Sequence, residues 1–81
     1  QVGDMKSKDN IVYDLARFYQ QNGMFEKAIN KYLENIEICK ELGNKADMDT
    51  LYRNIADIYE NSGVYQKAKK YLLFLQQWHI P

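Results

Sequence analysis

The sequence contains a single cysteine, a single histidine and a single proline. The lone Cys39 excludes an intramolecular disulfide and a metal site built from several thiolates. It favours a reducing compartment, so we expect a cytoplasmic protein, or else a nuclear one. The only histidine, His79, is far in sequence from Cys39, and a cysteine–histidine nucleophile pair is therefore not indicated.

No excess of charge of either sign is present. Eleven basic residues balance eleven acidic residues, and the formal net charge is zero. Proteins that bind nucleic acid or anionic membrane surfaces usually carry a basic excess. The chain also has no apolar run near the roughly 20 residues that span a bilayer. We therefore expect neither nucleic acid nor a membrane as a partner.

Motifs for catalysis and cofactor binding are missing as well. The chain contains no glycine-rich phosphate loop, no HExxH zinc motif and no calcium-loop spacing. Asp47 and Asp49 stand close together, but acidic residues are common in the first turn of a helix, where the helix dipole favours them. The sequence predicts no enzymatic activity, no cofactor and no metal.

What the sequence does contain is an internal repeat. The segment from Leu15 to Tyr32 returns forty residues later, from Ile55 to Leu72, in partly altered form. Eight of the pairs that this offset aligns are identical, among them two alanine pairs, a tyrosine pair and two glycine pairs. A period of 20–50 residues indicates a stacked array of helical or other repeats.

The order of residue types within the repeat resembles that of the tetratricopeptide repeat, in the subclass with repeats of about forty residues. The matching positions are Leu15, Ala16, Tyr19, Gly23, Ala28 and Tyr32 in the first copy, and Ile55, Ala56, Tyr59, Gly63, Ala68 and Leu72 in the second. The resemblance implies an all-α fold in which two antiparallel helix-turn-helix pairs stack as a segment of a right-handed superhelix. The chain departs from the family pattern at Val12 and Tyr52, where the family usually has Trp, and at Asn35 and Leu75, where it has a small residue.

The pattern of apolar residues and helix-stop signals predicts four helices. The first ends at Gln21, the second runs from Phe25 to Leu42, the third ends at Asn61, and the fourth runs from Tyr65 to about Trp78. The predicted inward residues are Ile11, Val12, Leu15, Phe18 and Tyr19 in the first helix; Phe25, Ala28, Ile29, Tyr32, Ile36 and Cys39 in the second; Leu51, Tyr52, Ile55, Ile58 and Tyr59 in the third; and Tyr65, Ala68, Leu72 and Leu75 in the fourth.

The register also predicts the division of the chain. Residues 1–8 are expected to be a leader or turn that follows an earlier repeat, because Gly3 aligns with Gly43 at the end of a helix. Residues 9–44 are predicted to form the first repeat, and residues 45–81 the second repeat with its terminal helix. We accordingly expect the chain to be part of a longer array.

The resemblance implies a protein-interaction scaffold. In the family, the first helix of each pair lines a concave groove that binds a peptide or a helix of a partner protein. The groove positions of this chain that we single out are Tyr13, Arg17, Gln20, Arg53, Asn54, Asp57 and Glu60. Asn54 offers both a donor and an acceptor to a peptide backbone, and Arg17 can bind a carboxylate through two hydrogen bonds.

Two alternatives remain open at the sequence level. Tyr71, Phe74 and Trp78 add a second apolar face to the last helix, and contiguous apolar patches often mark protein contacts. This face would be covered by a further helix, or it would be a docking surface for a second copy of the chain, in a homo-oligomer, or for another protein. A piece of a peptide-sensing regulator is also compatible with the resemblance.

Overall fold

The structure is a computed structural model that describes the backbone of residues 2–78 and the side chains of residues 3–77. Within residues 2–78 the chain forms four α-helices and no strand. The helices are α1 (Val2–Gln21), α2 (Phe25–Leu42), α3 (Lys45–Asn61) and α4 (Tyr65–Trp78). The predicted all-α fold is confirmed.

Each helix packs against the helix that precedes it. The main contacts join α1 to α2, α2 to α3 and α3 to α4. Helices joined by such short turns pack as antiparallel neighbours. The result is a flat stack whose Cα atoms extend over 39 × 37 × 12 Å, the arrangement expected of two helix-turn-helix pairs placed side by side.

The three turns share one geometry. Gly23 and Gly63 follow the first helix of each pair. Their φ angles are positive, 73° and 78°, and residues with a Cβ atom rarely adopt such values. The amide of the residue after each glycine donates 2.8 Å hydrogen bonds to equivalent carbonyls, from Met24 to Tyr19 and from Val64 to Tyr59. This is the Schellman ending of a helix, and it explains why the glycine positions predicted the helix ends.

The start of α1 differs from the prediction. Residues 2–8 are helical, so the expectation that residues 1–8 form a leader or turn is wrong for that segment. Gly3 lies in the first turn, where backbone amides have no helical partner, and therefore costs little. Asp4 favours the same turn through the helix dipole.

The core lies mainly between α2 and α3. The largest side chains that are almost fully buried are Tyr32, Leu51, Ile55, Ile58 and Cys39. Ala16, Ala28 and Ala56 are also buried, which allows neighbouring helices to approach closely. The inward face predicted for α2 is confirmed except at Phe25, which is exposed because it is the first residue of the helix.

The predicted inward face of α1 is largely wrong. Val12 is buried and Tyr19 packs against the core, but Ile11, Leu15 and Phe18 are 60%, 37% and 56% exposed. Their equivalents in α3, which are Leu51, Ile55 and Ile58, are at most 1% exposed. The difference arises because α3 lies between α2 and α4, whereas α1 has α2 on one side alone.

The fourth helix is rotated relative to the prediction. Ala68 and Leu75 are buried as expected, but Tyr65 and Leu72 are 67% and 45% exposed. Tyr71, predicted to lie on a second outward face, packs instead against the core. None of the helices within residues 2–78 has the length and apolar character that a membrane span requires.

Candidate binding groove

The helices α1 and α3 border two adjoining cavities whose floor is formed by α2. The first, which we name the Asp pocket, has a volume of about 260 Å³ and is lined by Asp9, Asn10, Tyr13, Asn35, Asp47, Thr50 and Leu51. The second, the Arg pocket, has a volume of about 300 Å³ and is lined by Tyr13, Arg17, Gln20, Gln21, Tyr32 and Asn54. Tyr13 borders both, and together they form the groove.

Tyr32 organises the Arg pocket from below. Its ring is only 1% exposed, and its hydroxyl donates a 2.6 Å hydrogen bond to the Oε1 atom of Gln20. Burial raises the pKa of the Tyr32 hydroxyl, an effect that Arg17 and the Asn54 amide oppose. A buried residue of α2 therefore positions Gln20 of α1 at the surface of the groove.

Arg17 provides the positive charge of the Arg pocket. Its guanidinium carbon lies 5.9 Å from the centre of the Tyr13 ring. Interaction with the Tyr13 hydroxyl raises the pKa of Arg17 above its already high ordinary value. The Tyr13 ring in turn packs edge-on against Tyr32, with ring centres 6.3 Å apart. Arg17 is exposed and keeps hydrogen-bond donors free for a ligand.

Asn35 organises the Asp pocket. It is the one buried polar residue among the described side chains, with 2% exposure. Its Nδ2 atom donates hydrogen bonds to the backbone oxygen of Asp9 at 3.1 Å and to the Oδ1 atom of Asp9 at 2.5 Å. Asn35 thereby fixes the Asp9 carboxylate of α1 from a position on α2.

Cys39 lies below the same carboxylate. Its thiol is fully buried and donates to Oδ1 of Asp9 over 3.6 Å. Burial, reinforced by Asp9 and Asp47, raises the pKa of Cys39 to about 12. The thiol is therefore protonated at neutral pH and is a poor nucleophile, since the thiolate is the reactive form.

Asp9, Cys39 and Asp47 place one potential metal-ligand atom each within 4.8 Å of one another. A zinc ion bound here would have three protein ligands and would have to displace the thiol proton, which the high pKa of Cys39 opposes. Asp47 is also engaged at the start of α3, where its Oδ2 atom accepts a 2.6 Å hydrogen bond from Asn44. The predicted absence of a metal remains a prediction.

The structure brings together four of the seven predicted groove residues. Tyr13, Arg17, Gln20 and Asn54 line the Arg pocket. The other three, Arg53, Asp57 and Glu60, are exposed on α3 and line neither pocket.

Of the residues that line the Asp pocket, Tyr13 was predicted as a groove residue, whereas Asp9, Asn35 and Asp47 were not assigned to the groove. Asn35 stands out in the sequence as a polar residue at a position where the family has a small one. Its contact with Asp9 spans 26 residues, and a pattern of neighbouring residues does not reveal such a contact.

The predicted assembly face on α4 is only partly exposed. The Tyr71 ring stacks on that of Tyr59, with ring centres 5.8 Å apart, and Tyr52 contacts both Tyr71 and Phe74. Phe74 is 37% exposed. The side chain of Trp78 lies outside the described residues.

Comparison with known proteins agrees with the helical-repeat architecture. A family model described as tetratricopeptide repeat matches residues 9–73. This range includes most of α1, all of α2 and α3, and the first part of α4. Searches of curated proteins and of solved structures found no match.

Proposed function

The chain belongs to the tetratricopeptide repeat family, and from this premise we propose that it is a non-catalytic scaffold whose groove binds a peptide segment of a partner protein. The family generally mediates protein–protein interaction. The finer assignment, that the groove between α1 and α3 is the binding surface, is supported by the shape and chemistry of that groove.

The observation that carries the proposal is the pair of adjoining pockets. Their walls come from two helices, and buried residues of the helix below hold Gln20 and Asp9 in place through hydrogen bonds. Side chains held in this way lose little conformational entropy when a ligand binds. A polar groove with a preformed floor suits a peptide, whose backbone needs both donors and acceptors.

The chemistry of the described residues favours a binding role over catalysis. Cys39 is the only thiol, and it is buried with a pKa of about 12. The groove otherwise presents carboxylates, amides, hydroxyls and one guanidinium, which recognise polar ligands.

Selection from a displayed library of random short peptides tests the proposal. The wild-type chain is expected to enrich peptides that bind it reproducibly. Arg17→Ala and Asn54→Ala should each weaken that binding by about tenfold, the loss expected of a residue central to an interface. Arg53→Ala is the matched control, because Arg53 lies on α3 beside Asn54 but lines neither pocket.

Two outcomes would contradict the proposal. In one, no peptide is enriched by the wild-type chain. In the other, the Arg53→Ala control weakens binding as much as Arg17→Ala does, which would place the ligand outside the groove.

Self-assembly through the last helix is a second candidate. Leu72 and Leu73 are 45% and 48% exposed, next to the partly exposed Phe74. Lys69 and Gln76 interrupt this surface, at positions where α2 has the buried Ile29 and Ile36. Sedimentation equilibrium tests this candidate: a dimer that weakens in the Leu73→Ser variant supports it, and a monomer at every concentration contradicts it.

A further inference from the structure

The Asp pocket presents several hydrogen-bond acceptors beside the donors of Asn10 and Tyr13. Both hydrogen bonds of the Asn35 side chain are donated by Nδ2, which leaves its Oδ1 atom as an acceptor. The Thr50 hydroxyl donates to the backbone oxygen of Ala46 and so also offers only its oxygen. Together with the carboxylates of Asp9 and Asp47, these atoms form a lining that complements a ligand rich in N–H groups.

The described hydrogen bonds of the two carboxylates come from uncharged groups. Asp9 accepts from an amide and a thiol, and Asp47 accepts from an amide. Lys6, which is exposed, lines an adjoining cavity with both carboxylates. A cation between two nearby carboxylates would relieve their mutual repulsion.

The size of the pocket suits one side chain. Its volume of about 260 Å³ is below the range of about 300–1,000 Å³ that holds drug-sized ligands. Leu51 of α3 adds an apolar side chain to the lining, and Tyr13 forms the wall toward the Arg pocket. A long basic side chain can pack its apolar stem and its cationic head against such surfaces.

We propose that the Asp pocket binds an arginine side chain of the partner segment that occupies the groove. This inference rests on the proposed function. Arginine is favoured over lysine because its planar guanidinium carries five N–H donors in fixed directions, and the acceptors of the pocket come from three different helices. Lysine, with a compact charge, fits the same acceptors less well.

The distance between the two pockets determines how far apart the two bound residues of the partner segment are in its sequence. Asp9 and Arg17 are eight residues apart on α1, which corresponds to about 12 Å at 1.5 Å per residue. An extended peptide advances about 3.3 Å per residue. The partner segment therefore carries an acidic residue, bound by Arg17, three or four positions from its arginine.

Peptides selected from the random library on the full wild-type chain provide the probe. The enriched sequences are expected to share an arginine with an acidic residue three or four positions away. Replacing that arginine by citrulline, which keeps its shape but removes its charge, should weaken binding by about tenfold, because hydrogen bonds to charged groups are the stronger ones. Replacement by lysine should cost less.

Variants of the pocket test whether its carboxylates cause the preference for arginine over citrulline. Asp9→Asn and Asp47→Asn should each reduce the preference for the arginine peptide over the citrulline peptide, and in the double variant the two peptides should bind with nearly equal affinity. Asparagine retains the Oδ1 acceptor that Asn35 uses, and circular dichroism verifies that the variants fold. Asp57→Asn is the control, since it removes an exposed acid of α3 outside both pockets.

The possible results separate this inference from the proposed function. If no peptide binds, the proposed function fails and this inference fails with it. If peptides bind but citrulline replaces arginine without loss, the groove assignment stands and the arginine pocket is refuted.

Discussion

At the scale of single residues, the groove depends on two buried polar side chains, each of which holds a surface side chain in place through a hydrogen bond. Tyr32 holds Gln20, and Asn35 holds Asp9. Both anchors lie on α2, at positions that the repeat pattern assigns to the core. A buried polar residue costs free energy unless it is hydrogen-bonded, so these contacts couple the stability of the core to the geometry of the binding surface.

Asn35→Ala tests that coupling. The substitution leaves the Asp9 carboxylate without its amide donor, and the free energy of unfolding is expected to fall by about 1–3 kcal/mol. Urea denaturation measures it, with Asn30→Ala, an exposed change on the same helix, as the control. Equal losses in the two variants would show that the Asn35 contact contributes nothing specific.

Cys39 gives a prediction about pH. Its pKa is raised to about 12 in the folded chain, whereas a thiol in the unfolded chain ionises with a pKa of about 8.5. The stabilisation is complete below the unfolded value and is lost as the pH rises toward the folded value, because only the unfolded state releases the proton. The wild type should therefore lose up to about 1.4 kcal/mol per pH unit relative to Cys39→Ala above pH ~9.

Urea denaturation of both proteins at rising pH measures this difference. Parallel decreases in the stability of wild type and Cys39→Ala would mean that the thiol titrates normally in the folded state.

At the scale of helices, burial follows from the number of neighbours. Equivalent positions of α1 and α3 carry similar apolar residues, yet those of α3 are buried on two sides and those of α1 on one. The sequence therefore predicted the spacing of the apolar positions along each helix and the alignment of the two repeats, but not which face of a terminal helix is covered. The ends of α1, α2 and α3 were predictable because glycines mark them locally.

A matched pair of substitutions measures the effect of position in the stack. Ile55→Ala removes side-chain atoms from a site with no exposure and should destabilise the protein by about 2–5 kcal/mol. Ile11→Ala is the control: its side chain is 60% exposed, and the expected loss is below about 1 kcal/mol. Thermal or urea unfolding compares them, and similar losses would contradict the assignment of α1 to an end of the stack.

Part of the site could also be predicted from the sequence. Tyr13, Arg17, Gln20 and Asn54 lie on the helices that line the groove in the family, and family resemblance was enough to find them. Arg53, Asp57 and Glu60 are on α3 as well, but their helical phase turns them away from both pockets. The Asp pocket is formed by residues of three helices. Its shape depends on how those helices pack, which no local sequence pattern describes.

At the scale of the whole molecule, the chain is a helical stack with balanced charge and a polar groove that contains two adjoining pockets. Its net charge is zero, so long-range electrostatic attraction does not select partners. Selectivity must come from local charge: the Asp pocket is negative and the Arg pocket positive. The two ends of the stack expose apolar residues instead, and among the side chains of residues 3–77 neither end has the groove's arrangement of hydrogen-bonded polar groups.

The central claim is that the groove, not an end of the stack, binds the partner segment. NMR titration of the isotope-labelled chain with a library-selected peptide tests it most directly, because each backbone amide reports separately. If the groove binds the segment, the shifts will be concentrated at Tyr13, Arg17, Gln20 and Asn54. Shifts concentrated at Leu72 and Leu73 of α4, with the groove amides unchanged, would contradict it.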